Sequence, residues 1–255
     1  YRHVFPYTYE FKMHAKERWI GMTLLDLYLK EFPSKSEHYY KSAISGGTIR
    51  VNYHPKSQGY SIKAGDVLTH KIHRHEIPVN AEKIEILSES DNYLAVNKPS
   101  LLPIHPCGEY RLNSLVCVLA NQRPDLGELY GCHRLDKLTS GLVIFGKSSQ
   151  DASKMCQMIV RNEVKKTYLA RVLGDFGYPF TNESNGYSSV SLRDCELNSV
   201  DDGWFEISAP LACDSPLNST YKVCAEGKEA ITLVKKLSFH GDSNTSLIQC
   251  IPKQG

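Results

Sequence analysis

The chain has 255 residues, 41% hydrophobic and 23% charged, with a formal net charge of +2 and a mean hydropathy of −0.35. That composition excludes a disordered polyelectrolyte, and no apolar run is long enough for a membrane-spanning helix or a signal segment. The charge is uneven: residues 1–80 hold 12 Lys+Arg against 7 Asp+Glu, residues 81–174 hold 12 against 10, and residues 175–255 hold 6 against 11. The N-terminal third is therefore the expected electrostatic footprint for a polyanion, the alternative being a basic surface without a partner.

Phe5, Tyr7, Tyr9 and Phe11 alternate, which predicts a strand with one aromatic face, either packed on the domain or offered to bases. Residues 1–20 read as an extension ahead of a compact module over 21–77. Thr23 is placed to cap a helix over 24–31, and Pro33 stops it. Ser36 is placed to cap a second helix over 37–44, which ends at Gly46-Gly47. A strand over 48–52, a turn region with Pro55 and Gly59, and a strand over 67–72 complete it. The phrases Tyr40–Asn52 and Ile62–Val67 resemble the small RNA-binding module of a small-subunit ribosomal protein. The resemblance implies phosphate contacts at Lys41, Arg50 and Lys56, set against a solvated basic face. His70, His73 and His75 close the module. Alternation along a strand separates their side chains, so an RNA-facing or exposed cluster is favoured over a metal site.

A linker over 76–79 leads to a second domain, 78–255. Strands over 84–89 and 93–97 flank an Asp91-Asn92 turn and deliver Lys98-Pro99 into a loop with prolines at 99, 103 and 106. His105 lies in this loop. It has no second catalytic group beside it in sequence, which favours structure or RNA contact over a role as a base. A helix over 113–122 precedes a charged loop, His133-Arg134-Leu135-Asp136-Lys137-Leu138-Thr139-Ser140, which runs into the apolar strand 142–145. One carboxylate among cations suits a nucleophile or base aimed at an anionic substrate, where a lone Arg-x-Asp reads as an ordinary ion pair. A helix over 149–161 follows, then Lys165-Lys166-Thr167-Tyr168-Leu169-Ala170 entering a strand. Residues 174–215 hold 8 of the 11 acidic residues of the C-terminal third and read as an insertion off any RNA face, with a hairpin ending in a strand over 204–208. Strands over 229–237 and 245–251 form an antiparallel pair around Gly241-Asp242.

The string His-Arg-Leu-Asp-x-x-Thr-Ser-Gly before an apolar strand resembles the central motif of the RluA-like pseudouridine synthases, in their eukaryotic branch. Asn97-Lys98-Pro99-Ser100 and Lys166-x-Tyr168-x-Ala170 resemble two further motifs of that family. The resemblance implies an α+β fold. In it a small ribosomal-protein-type RNA-binding module precedes a catalytic domain with a mixed, mainly antiparallel sheet and flanking helices. It implies isomerisation of uridine to pseudouridine in RNA, tRNA above all, with Asp136 as nucleophile and Tyr168 stacked on the flipped uracil. Arg134 is implied to fill the gap left by the flipped base. RNA contacts are expected at Arg134, Lys137, Lys98, His133, Lys41, Arg50 and Lys166. No cofactor, metal or membrane is implied, and a monomer is expected. In the family an arginine motif follows the last strand. It falls beyond Gly255, so the domain is expected to be incomplete here, and the first residue, Tyr1, points to a segment of something longer.

The eight cysteines form no Cys-x-x-Cys pair and read as free thiols of a reducing, intracellular compartment, with cytoplasm, nucleus and mitochondrion all open. The rival from another class is a catalytically inactive RNA-binding protein or RNA chaperone on the same fold. A nucleobase deaminase is set aside because its His-x-Glu and Pro-Cys-x-x-Cys signatures are missing.

Overall fold

The computed structural model describes residues 1–176, 196–200, 203–215 and 220–253. Two compact units divide the chain, Tyr1–Ser148 and Ser149–Gly255. The fold is α+β and its sheet pairings are antiparallel.

In the first unit, a three-stranded sheet has the order β1-β3-β2, with β1 Tyr7–His14, β2 Ile49–Val51 and β3 Val67–Arg74. The stretch expected as a separate extension thus supplies an edge strand, paired from Tyr7↔Arg74 to His14↔Val67. Tyr7, Tyr9, Phe11 and Met13 are half-buried on one side, so the aromatic face packs rather than presenting itself to bases. Tyr9 and Phe11 meet edge-on at 4.8 Å, and the Arg111 guanidinium lies 4.0 Å from the Tyr9 ring centre. Helices α1 (Leu24–Glu31) and α2 (Glu37–Ser45) are capped as expected: the hydroxyls of Thr23 and Ser36 accept the N–H groups of Asp26 and Tyr39 at 3.1 and 3.3 Å. Both helices share a core with the sheet, built on Trp19, Leu27, Tyr28, Tyr40, Ile49 and Leu68. His70 joins that side, its ring 3.1 Å from the Tyr39 hydroxyl, and burial pushes its imidazole down to about 4. Strand alternation separates the histidines as expected: His70 faces inwards and so drops out of the exposed group, while His73 and His75 are exposed and meet each other edge-on at 4.8 Å.

A second sheet in the same unit has the order β4-β5-β7-β6, with β4 Glu85–Glu89, β5 Tyr93–Lys98, β6 Tyr130–Gly131 and β7 Gly141–Gly146. Helix α3 (Leu115–Gln122) closes its core, formed by Leu94, Val96, Val143, Phe145, Leu115 and Leu119. The segment read as a linker is bonded at several points. The Glu76 carboxylate accepts the successive N–H groups of Arg111, Leu112 and Asn113 at 2.9, 2.9 and 2.8 Å, and the Tyr7 hydroxyl at 2.5 Å. Burial alone would raise its pKa; these donors more than offset that and hold the carboxyl below its ordinary value. Arg74 donates to the Gly108 carbonyl at 2.9 Å and Asn113 to that of Ile77 at 3.0 Å.

The second unit contains helix α4 (Ser149–Val160) and a five-stranded sheet of order β8-β14-β13-β10-β9. Its strands are β8 Tyr168–Leu173, β9 Glu196–Val200, β10 Trp204–Ser208, β13 Ile231–His240 and β14 Thr245–Pro252. A hairpin of β11 (Leu211–Ser215) and β12 (Thr220–Val223) stands apart. The strand expected at the end of an insertion, β10, pairs with β13 from Trp204↔Lys235 to Ser208↔Ile231 and is part of the main sheet. The rest of the acidic stretch, residues 177–195 and 201–202, lies outside the described residues. No helix among the described residues is long and apolar enough to cross a membrane.

Candidate active site

Two loops converge at one end of the second sheet because the strands that carry them are neighbours. Strand β5 ends where β7 begins, in the register Asn97↔Leu142 and Lys98↔Gly141, so the loop after Lys98 and the loop before Gly141 leave the sheet together. Gly141 has φ +127, a conformation that favours glycine at the point where the charged loop turns into the strand. Gly131, on the other side, has the His105 ring against it: a Cβ there would stand 2.8 Å from Nε2. The proline-rich loop and the charged loop are thereby packed together. Partial burial, and then the Arg134 guanidinium, push the His105 imidazole below its ordinary pKa.

Asp136 lies on the 132–140 loop with an exposed side chain, and its carbonyl accepts the Thr139 N–H at 3.1 Å in a tight turn. Arg134 and Lys137 are exposed beside it in sequence. Lys137 Nζ donates to the Tyr110 hydroxyl at 3.1 Å and lies 5.2 Å from that ring's centre. His133 faces the sheet, its Nε2 accepting the Ile144 N–H at 3.2 Å, which orients the start of the loop.

Lys98, expected among the RNA contacts, is fully buried. Its Nζ donates to the carbonyls of Pro99, Leu102 and Lys137 at 3.1, 2.8 and 3.2 Å. All three ammonium hydrogens have acceptors, so this residue ties the two loops together instead of reaching a ligand. Between the first two acceptors, Leu101 takes φ 63. Burial pushes the Lys98 ammonium down to about 8, and the Asp136 carboxylate opposes that shift. A cation is thus built in beneath the aspartate. The signal for this was in the sequence: Leu94, Val96 and Lys98 share the inward parity of one strand.

Tyr168 opens β8 in the second unit, opposite Cys250, and is 37% exposed; Lys166 lies two residues ahead of it. In the N-terminal module, Lys41 pairs with Glu37 across one turn of α2 at 2.7 Å, and Arg50 Nε donates to the Gly47 carbonyl at 2.8 Å.

An exposed carboxylate on a braced loop, flanked by two cations with a third buried below, suits covalent or acid–base chemistry on a polyanion. A family model for RNA pseudouridylate synthases matches residues 92–255, which includes both loops and Tyr168. The chain belongs to this family. RNA pseudouridine synthase 7 of Arabidopsis thaliana is 41% identical over 175 residues, 69% of this chain and 44% of that protein. Pseudouridylate synthase RPUSD2 of Mus musculus is 32% identical over all of this chain and 41% of its own length. The mitochondrial tRNA pseudouridine(32) synthase of Saccharomyces cerevisiae is 32% identical over all of this chain and 50% of its own. The chain therefore spans half or less of the length of these relatives.

Proposed function

We propose that this chain carries the centre that isomerises uridine to pseudouridine in RNA, with Asp136 as the reacting carboxylate. The observation that carries this reading is the exposed Asp136 on a loop whose backbone is fixed by the buried Lys98, in a member of the pseudouridylate synthase family. The target uridine leaves the base stack to reach the loop. Asp136 acts at the glycosidic linkage, by addition or by driving elimination, and the C1′–N1 bond breaks. The uracil turns, C5 bonds to C1′, the C5 proton is lost and N1 is protonated, so atoms balance without a co-reactant. Splitting the exchange through a carboxylate divides one hard step into two easier ones.

Tyr168 stacks on the detached uracil. Arg134 fills the space that the base leaves, and Lys137 and Lys166 hold phosphates; His133 sets the loop from which they act. Lys41 and Arg50 position the RNA at the N-terminal module. The substrate is tRNA, a reading supported by the printed name of the yeast relative. Tritium release from tRNA labelled at uridine C5 tests the assignment. Asp136→Ala is expected to lose more than about a hundredfold in rate while still binding RNA. An Asp136→Ala protein that releases tritium at the wild-type rate removes it from the chemistry.

A further inference from the structure

The sheet β1-β3-β2 turns one face to the first core. Its other face, opposite the side on which α1 and α2 pack, carries Lys12, His14, Arg50, Lys71 and His73, with Glu10 the carboxylate among its strand positions. Register sets Lys12, Thr69 and Arg50 in one row across all three strands. Thr69, in the middle of that row, is only 1% exposed, while Lys12, Arg50 and Lys71 around it are exposed. Among the described residues, Lys12, Arg50 and Lys71 take part in no ion pair.

At the end of β2 the chain turns in two residues. Val51 and His54 exchange both N–H···O bonds at 3.0 Å, with Asn52 at φ 51 and Tyr53 at φ 65. A turn of this hand takes Asn followed by Gly, because both central residues are left-handed. Asn52 is held there by its own side chain, which accepts the Val67 N–H and donates to Asp66 Oδ1, both at 2.8 Å. Tyr53 stands where glycine fits without strain. The residue is 53% exposed, with Lys12 Nζ 5.4 Å from its ring centre. Strain accepted for an exposed ring marks a side chain kept for what it presents.

We propose that this face is a docking surface for single-stranded RNA, with Tyr53 stacked on a base and Lys12, Arg50 and Lys71 on phosphates. The assignment rests on the RNA-modifying reading above and extends it to a surface away from the Asp136 loop. The test measures binding of an oligouridylate of about 16 nucleotides by the full-length protein across a salt series, alongside thermal melting and pseudouridine formation. Tyr53→Gly is expected to melt at the same or a higher temperature, yet to bind about fivefold or more weakly. The triple variant Lys12→Gln, Arg50→Gln, Lys71→Gln is expected to flatten the slope of log affinity against log salt by about 2. Both variants binding with wild-type affinity and slope, while the wild type makes pseudouridine, overturns the surface alone. Tyr53-dependent binding by a wild type that makes no pseudouridine supports the surface and removes the isomerase reading. Polyglutamate bound with the same dependence on Tyr53 assigns the face to an acidic polypeptide and overturns the proposal.

Discussion

Lys98 sits on the inward side of β5, one step past Leu94 and Val96, so strand parity alone carries an ammonium into the interior. Once there it must be satisfied, and three carbonyls from both loops do so. The sequence marks this lysine as important through its place in an Asn-Lys-Pro-Ser phrase. It does not say which groups receive the ammonium, because the carbonyls of Leu102 and Lys137 meet only when the two loops fold together. Its protonation makes a two-sided prediction. Folded Lys98 gives up its proton near pH 8 and the unfolded side chain near 10.5. Between these values the unfolded chain binds more protons, so this group's contribution to stability rises with pH there and is lost as pH falls through about 8. Turnover runs the other way, since neutral Lys98 has one donor fewer and no charge beneath Asp136. The kcat/KM for tritium release is expected to decline above about pH 8, and Lys98→Arg to lose that limb because a guanidinium stays charged. A wild-type profile flat across this window separates Lys98 from the chemistry.

Elements with local causes were legible, and those with distant partners were less so. The caps at Thr23 and Ser36 and the apolar stripes behind them act within one helical turn, and α1 and α2 form where the sequence places them. The alternating aromatics of β1 announce a strand, but its pairing with β3 is made some sixty residues along the chain. Its role is therefore decided by tertiary contact: it is an edge of the module's sheet and donates the Tyr7 hydroxyl to Glu76. Removing residues 1–14 is expected to cost about 3 kcal/mol or more in urea unfolding, by stripping the β3 ladder and the half-buried ring face. An unchanged unfolding midpoint would restore the reading of an extension ahead of the module. Strand β10 repeats the lesson, because an acidic stretch reads as peripheral until β13 is found beside it.

For the whole molecule, both hydrophobic cores of the N-terminal part fall within Tyr1–Ser148, and Glu76 bonds the segment between them to residues 111–113. A fragment over 1–148 is expected to melt in one cooperative transition by circular dichroism. Two separate transitions, or none, would show that the link through Glu76 does not couple the cores. The α+β class, the caps of α1 and α2, the strand parities and the charged loop around Asp136 could be read along the chain before any fold was known. Each of these follows from forces between residues a few positions apart or from a string specific enough to carry a family. Tertiary contacts set the partner of β1, the carboxylate cradle of Glu76 and the carbonyls from both loops that receive Lys98. Those depend on which distant backbone amides and carbonyls arrive to replace water, and no local pattern encodes that arrival.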